Sequence, residues 1–174
     1  SYLFANGRRC QTTYSYMLCI GLLLFWNIAE IFLLLSENAA QEMLALKLKF
    51  LPVVYIGVSW LNFCLTITNQ RIINSRLYKY AIIIFPAVCY SFLLTNEFHH
   101  LFYKNVIFKT RLIRGPVFWI HTAESYFCII TGTLILLNRL RKVEKRLDKK
   151  IMFIMALLIP LAANILMLTD VIPN

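Results

Sequence analysis

His121 and Glu124 stand three residues apart inside a long apolar run, so on a helix they share one face. An imidazole and a carboxyl at that spacing can hydrogen-bond and tie helices together. They can also bind a ligand or relay a proton, or ligate a metal. The spacing leaves all three open. Glu30 and Asn27 repeat it in another apolar run, and Glu30 is the acid to single out there. A carboxylate surrounded by lipid costs about 2.5–3.5 kcal/mol on insertion scales, so Glu30 needs a cavity, a cation, a proton or an interhelical hydrogen bond. Further polar groups cluster at Thr95, Asn96, Glu97, His99 and His100, with Asp170 near the end of the chain. Trp26, Phe118, Trp119 and Tyr126 flank these sites.

The elements that hold these groups are membrane spans. Of the 174 residues, 60% are hydrophobic and only 15% charged, against about 45–50% and 25% in a soluble domain. A chain this short cannot hide that much Leu, Ile and Phe from water. Five apolar runs have the length of one bilayer crossing: roughly Thr13–Leu35, Lys49–Thr68, Tyr80–Asn96, Pro116–Asn138 and Ile151–Val171. Pro52 falls in the first turn of the second run, where proline is tolerated, and Pro160 interrupts the fifth. Leu22-Leu23-Leu24-Phe25-Trp26 and Ala81-Ile82-Ile83-Ile84-Phe85 are apolar all round, which excludes a soluble bundle with polar outer faces. The expected fold is an all-α, polytopic transmembrane bundle, a single domain over residues 1–174. Glu97–Gly115 reads as a partly interfacial connection, since Phe98, Leu101, Phe102, Tyr103, Val106, Ile107 and Phe108 lie in it.

Charge orients the bundle. Twelve of the 18 Lys and Arg residues fall on one set of loops (Arg8, Arg9; Arg71, Arg76, Lys79; seven in Arg139–Lys150) and six on the other. The positive-inside rule puts the first set in the cytoplasm. Four of the eight acids (Glu30, Glu97, Glu124, Asp170) and all three histidines then lie near the outer face. The net charge of +10 is therefore a topology signal; no nucleic-acid motif accompanies it. The five cysteines are scattered singly without metal-ligand spacing, so neither a disulfide nor a metal site is expected.

Leu94-Thr95-Asn96-Glu97-Phe98-His99-His100-Leu101-Phe102-Tyr103 resembles the TN-x-x-H-x-L-F-Y stretch of the N-terminal seven-helix membrane domain of bacterial sensor histidine kinases. Gly115-Pro116-Val117-Phe118-Trp119-Ile120-His121, followed by Tyr126, is similar to that family's next motif. Pro160–Leu168, with Asn164 inside, looks like its sixth helix, and Trp26 before an acidic loop fits its second. Glu124 stands where the family usually has an uncharged residue. The resemblance implies that the chain covers helices two to six. It also implies a sensor input whose output, a histidine kinase or in some relatives a diguanylate cyclase, lies in the cytoplasm.

The expected function is a membrane-embedded input domain that passes ligand perception at the outer side to a cytoplasmic transmitter. Glu30, Asn96, Trp119, His121 and Glu124 are the expected ligand-binding residues, bordering a pocket open to the outer leaflet or the outside. No catalysis by this chain and no cofactor are expected. The expected partners are the lipid bilayer, an unknown small signal or membrane protein, and a second copy in a full-length homodimer, all in the bacterial plasma membrane. A small transporter using the same carboxylates and histidine as a relay is the alternative, though no inverted repeat supports it. A structural subunit of a membrane complex is another.

Overall fold

The computed structural model describes the backbone of residues 2–107 and 111–143 and the side chains of residues 11–105 and 113–141. The fifth expected span, with Pro160 and Asp170, and the basic segment after Val143 lie outside the described residues, as do the side chains of Arg8 and Arg9. Four long helices dominate: α1 (Tyr2–Leu34), α2 (Ala39–Ile67), α3 (Arg76–Leu94) and α5 (Pro116–Val143). Between α3 and α5 lie a single turn, α4 (Asn96–His99), and an antiparallel hairpin, β1 (Tyr103–Ile107) with β2 (Arg111–Arg114). Each long helix contains a stretch long and apolar enough to cross a membrane, and the chain is a helical transmembrane bundle.

Local chemistry sets the helix ends. Asn38 caps α2 by accepting from the Gln41 amide at 2.9 Å, and the Gln41 side chain reaches back to the Glu37 amide at 2.8 Å. The pair works like a capping box displaced by one residue, because the Gln41 side chain returns to the amide of Glu37 rather than that of the N-cap Asn38. At the other end Asn69 adopts a left-handed conformation (φ 57°). That lets its amide reach the Thr66 carbonyl and the Gln70 amide reach Leu65, closing a Schellman motif. Because α2 begins at Ala39, Pro52 lies deep inside it rather than in a first turn. It removes the amide that would bond the Leu48 carbonyl; Pro86 does the same to Ile82 in α3.

Cross-helix contacts fix the directions. Glu30 meets Lys49, and Ser15 meets Asn62, so numbers fall along α1 as they rise along α2, and the two are antiparallel. Tyr90 to Lys47 and Tyr78 to Asn62 make α3 antiparallel to α2 as well. Along α5 the numbers rise with those of α2: Phe50 lies beside Phe118, Gly57 against Ser125 and Gly132 against Leu61. A Cβ on Gly57 would come within 2.9 Å of the Ser125 backbone, so glycine is what allows this close approach. The centre of the bundle is α2, half buried over its membrane stretch where α1 is 6% buried. Single-stripe amphipathicity is absent because most faces of the other helices meet lipid.

The connection from α3 to α5 folds more than an interfacial loop would. Buried Asn96 holds it: its Oδ1 accepts from the Phe102 and Tyr103 amides at 2.9 and 3.0 Å, and its Nδ2 donates to the Tyr103 carbonyl at 2.9 Å. Gly115 closes the hairpin, donating to the Phe102 carbonyl at 2.7 Å. Any Cβ there would collide with the Leu101 carbonyl. Phe98, Leu101 and Ile113 remain exposed at this end, as an element resting at a membrane surface requires.

Candidate functional site

At the hairpin end, α2 supplies two lysines two residues apart. Lys47 bonds Glu97 at 2.8 Å and Lys49 bonds Glu30 at 2.7 Å, tying α2 to α4 on one side and to α1 on the other. Of the partners that Glu30 could have, the structure supplies a cation, Lys49 of the second span, because α1 packs chiefly on α2. The Lys47 hydrogen bond, aided by its charge, holds the exposed Glu97 carboxyl below the ordinary glutamate range.

One turn deeper, the interior is aromatic. Phe50 packs edge-on against Phe102, Tyr103 and Phe118, at centroid distances of 5.2, 6.0 and 6.1 Å. Burial pushes the Tyr103 phenol well above its ordinary value, against a smaller opposing pull from Arg114. The Arg114 guanidinium lies 5.6 Å from the Phe118 ring centroid, and Trp119 meets that ring edge-on while itself half exposed.

Beneath this cluster are His121 and Glu124. His121 is 3% exposed, and its ring lies 6.5 Å from that of Phe50. Its Nδ1 faces Glu124 Oε2 at 3.9 Å, too far for a direct hydrogen bond. The other carboxyl oxygen accepts from the Cys128 thiol at 3.2 Å. Both facing atoms are buried without a hydrogen-bond partner. Among the described residues one other side-chain atom shares that state, Trp26 Nε1. The helix register puts all three at one level. Trp26 is one turn along α1 from Glu30, hence one turn past Lys49 on α2, and the His121–Glu124 face lies along α2 between Phe50 and Gly57. Pro52 and Pro86, both fully buried, fall at this level too. Buried polar atoms are nearly always paired, so three unpaired ones at one level stand apart from the rest of the described bundle.

The N-terminal 7TM region of histidine kinase matches residues 1–174. The chain belongs to that family. Neither a curated protein nor a solved structure matches it. The histidine-kinase family membership accounts for the membrane fold and its sensor character, while this 7TM-region chain's own geometry distinguishes its polar residues. Of the five expected ligand-binding residues, His121 and Glu124 stand together in the orphaned level. Glu30 lies a turn nearer the hairpin, engaged by Lys49. Asn96 holds the hairpin with both its amide oxygen and its amide nitrogen, and Trp119 borders the bundle exterior. No group of three or more His, Cys, Asp or Glu side chains suited to a metal occurs among the described residues. Sequence reasoning missed three participants. Lys49 was visible only as a topology charge, and Phe50 only as one apolar residue among many. The third, Cys128, carried a usable signal: it lies four residues from Glu124, on the same helical face.

Proposed function

We propose that this chain is the input domain of a bacterial sensor protein, in which a small signal is perceived at the hairpin end and passed to a cytoplasmic transmitter. The observation that carries the reading is the single level of orphaned buried polar atoms, Trp26 Nε1, His121 Nδ1 and Glu124 Oε2. Leaving such groups unpaired costs about 1–3 kcal/mol each. A scaffold that needed only interhelical glue would pair them, as Ser15 and Asn62 are paired nearer the opposite end. The basic-residue asymmetry supports placing the hairpin outside the cell.

Perception becomes transmission only when the signal favours one helix arrangement over another. Two helices lack a backbone hydrogen bond at the same level, at Pro52 and Pro86, which gives a bound signal a place to bend them. Helix α5 runs from this level toward the basic end, and is the element suited to carry the change inward. His121 and Glu124 serve here as signal contacts, with Asn96 positioning the hairpin roof, Glu30 positioning α1 through Lys49, and Trp119 facing the leaflet from which a signal could approach.

The test uses the full reading frame in cells, with a reporter driven by the native output. His121→Ala and Glu124→Gln are compared with Asn62→Ala, a polar substitution outside the level. A shifted or abolished dose response for the first two, with Asn62→Ala responding normally and all three inserted equally, supports the reading. Unchanged dose dependence in His121→Ala and Glu124→Gln overturns it.

A further inference from the structure

The His121–Glu124 geometry also restricts what can be recognised, given the reading above that this level is the signal site. Among the described residues, a metal ion would find too few ligands there. An anion would sit against a carboxyl group, and the nearest described lysines on α2, Lys47 and Lys49, are already engaged by Glu97 and Glu30. An organic cation would meet a single carboxyl flanked by an imidazole, with no second acid at that level among the described residues. What the two facing atoms complement is a neutral group that both accepts and donates. A hydroxyl does this with one oxygen. Placed about 2.8 Å from each of two atoms 3.9 Å apart, that oxygen would subtend an angle of about 90°, within reach of its lone pair and its proton.

The route narrows the class further. Phe118 lies one helical turn nearer the hairpin than His121, and with Phe50, Phe102 and Tyr103 it makes the interior on that side dry and aromatic. A strongly hydrated solute would have to shed its water against these rings. Toward the bilayer, by contrast, α5 exposes Trp119, Ile120 and Phe127 on either side of the dyad, an apolar flank that an alkyl chain can follow.

We infer that the His121–Glu124 pair is a subsite for the hydroxyl head of a neutral, long-chain amphiphile that enters from the outer leaflet. The imidazole Nδ1–H donates to the hydroxyl oxygen, and the hydroxyl proton is donated to Glu124 Oε2. Cys128 holds the opposite carboxyl oxygen and fixes the plane of the acceptor.

The probe is a diazirine-bearing long-chain alcohol, with its methyl ether as the control that keeps the oxygen and loses the donor. Both are photolysed with the full chain in nanodiscs, and the labelled peptides are mapped by mass spectrometry. The alcohol is expected to label α5 around Phe118–Ser125 about ten-fold more than the ether, the discrimination one buried hydrogen bond provides. Glu124→Leu should abolish that preference, and Glu124→Gln, whose amide can turn an N–H toward the hydroxyl in place of the carboxyl oxygen, should weaken it, in line with a shifted dose response. Equal labelling by alcohol and ether in the unmodified chain overturns the proposal, and that comparison needs no variant to fold. So does a preference that survives Glu124→Leu. A normal reporter phenotype of His121→Ala and Glu124→Gln would instead strike the sensor reading itself. Loss of signalling in those variants without alcohol preference would leave the sensor site standing and exclude a hydroxyl amphiphile as its ligand.

Discussion

Replacing Asn96 with alanine should loosen the hairpin without unfolding the bundle. Three hydrogen bonds disappear together, those to the Phe102 amide, the Tyr103 amide and the Tyr103 carbonyl, and the atoms left behind stay buried: Phe102 is 0% and Tyr103 2% exposed. Each bond is worth about 0.5–1.5 kcal/mol net, and each orphaned partner adds to the cost, so about 3 kcal/mol of local stability is at stake. That corresponds to about a hundred-fold in an opening equilibrium. Amide hydrogen exchange over residues 100–104, measured in nanodiscs, reads this directly. Exchange should accelerate about a hundred-fold in Asn96→Ala, while peptides within α2 stay protected. Asn96→Asp keeps the acceptor and loses the donor, and should fall between the two. Unchanged protection in Asn96→Ala would refute the claim that this side chain holds the hairpin.

Gly57→Leu should lower the thermal midpoint followed by circular dichroism, at a cost of about 1–3 kcal/mol or more, because its side chain must displace the Ser125 backbone of α5; an unchanged midpoint would contradict that close contact. Acidification should release α4 from α2. The folded pKa of Glu97 is lowered by Lys47, so the contact is fully present above the unfolded glutamate value and is lost as the pH falls through the lower, folded one. Exchange of the α4 amides should rise over that window, and Glu97→Gln should remove the pH dependence. Cysteines introduced at Asn105 and Arg146 should separate by side: an impermeant thiol reagent labels the first in intact cells and leaves the second silent, and the reverse pattern would invert the topology.

Composition and run length made the transmembrane fold readable, because lipid leaves few other places for this much apolar surface. Helix starts were less readable. Lys47 and Lys49 look like the end of a span, yet α2 begins at Ala39 under the Asn38–Gln41 cap, and the two lysines are helical residues with acids as partners. The hairpin escaped notice because Tyr103–Ile107 and Arg111–Arg114 are short and lack a two-residue turn signal, and because the residue that organises them, Asn96, lies outside them in sequence. His121 and Glu124 were visible as a spaced pair, but one-dimensional spacing could not tell a closed hydrogen bond from two buried atoms 3.9 Å apart. The alignment of Trp26 with them was hidden for the same reason. It depends on the register between α1, α2 and α5, which is set by Glu30–Lys49 and Gly57–Ser125.

The most direct test of perception at the polar level is infrared difference spectroscopy of the full-length protein in nanodiscs, before and after addition of its native signal. The carbonyl-stretch band of the Glu124 side chain can be assigned by its loss in Glu124→Gln. If the signal binds at the level of Trp26, His121 and Glu124, that band shifts on addition of the signal, with a dose dependence matching kinase activation. A kinase that responds while the Glu124 band stays still would show that the signal is read elsewhere in the bundle.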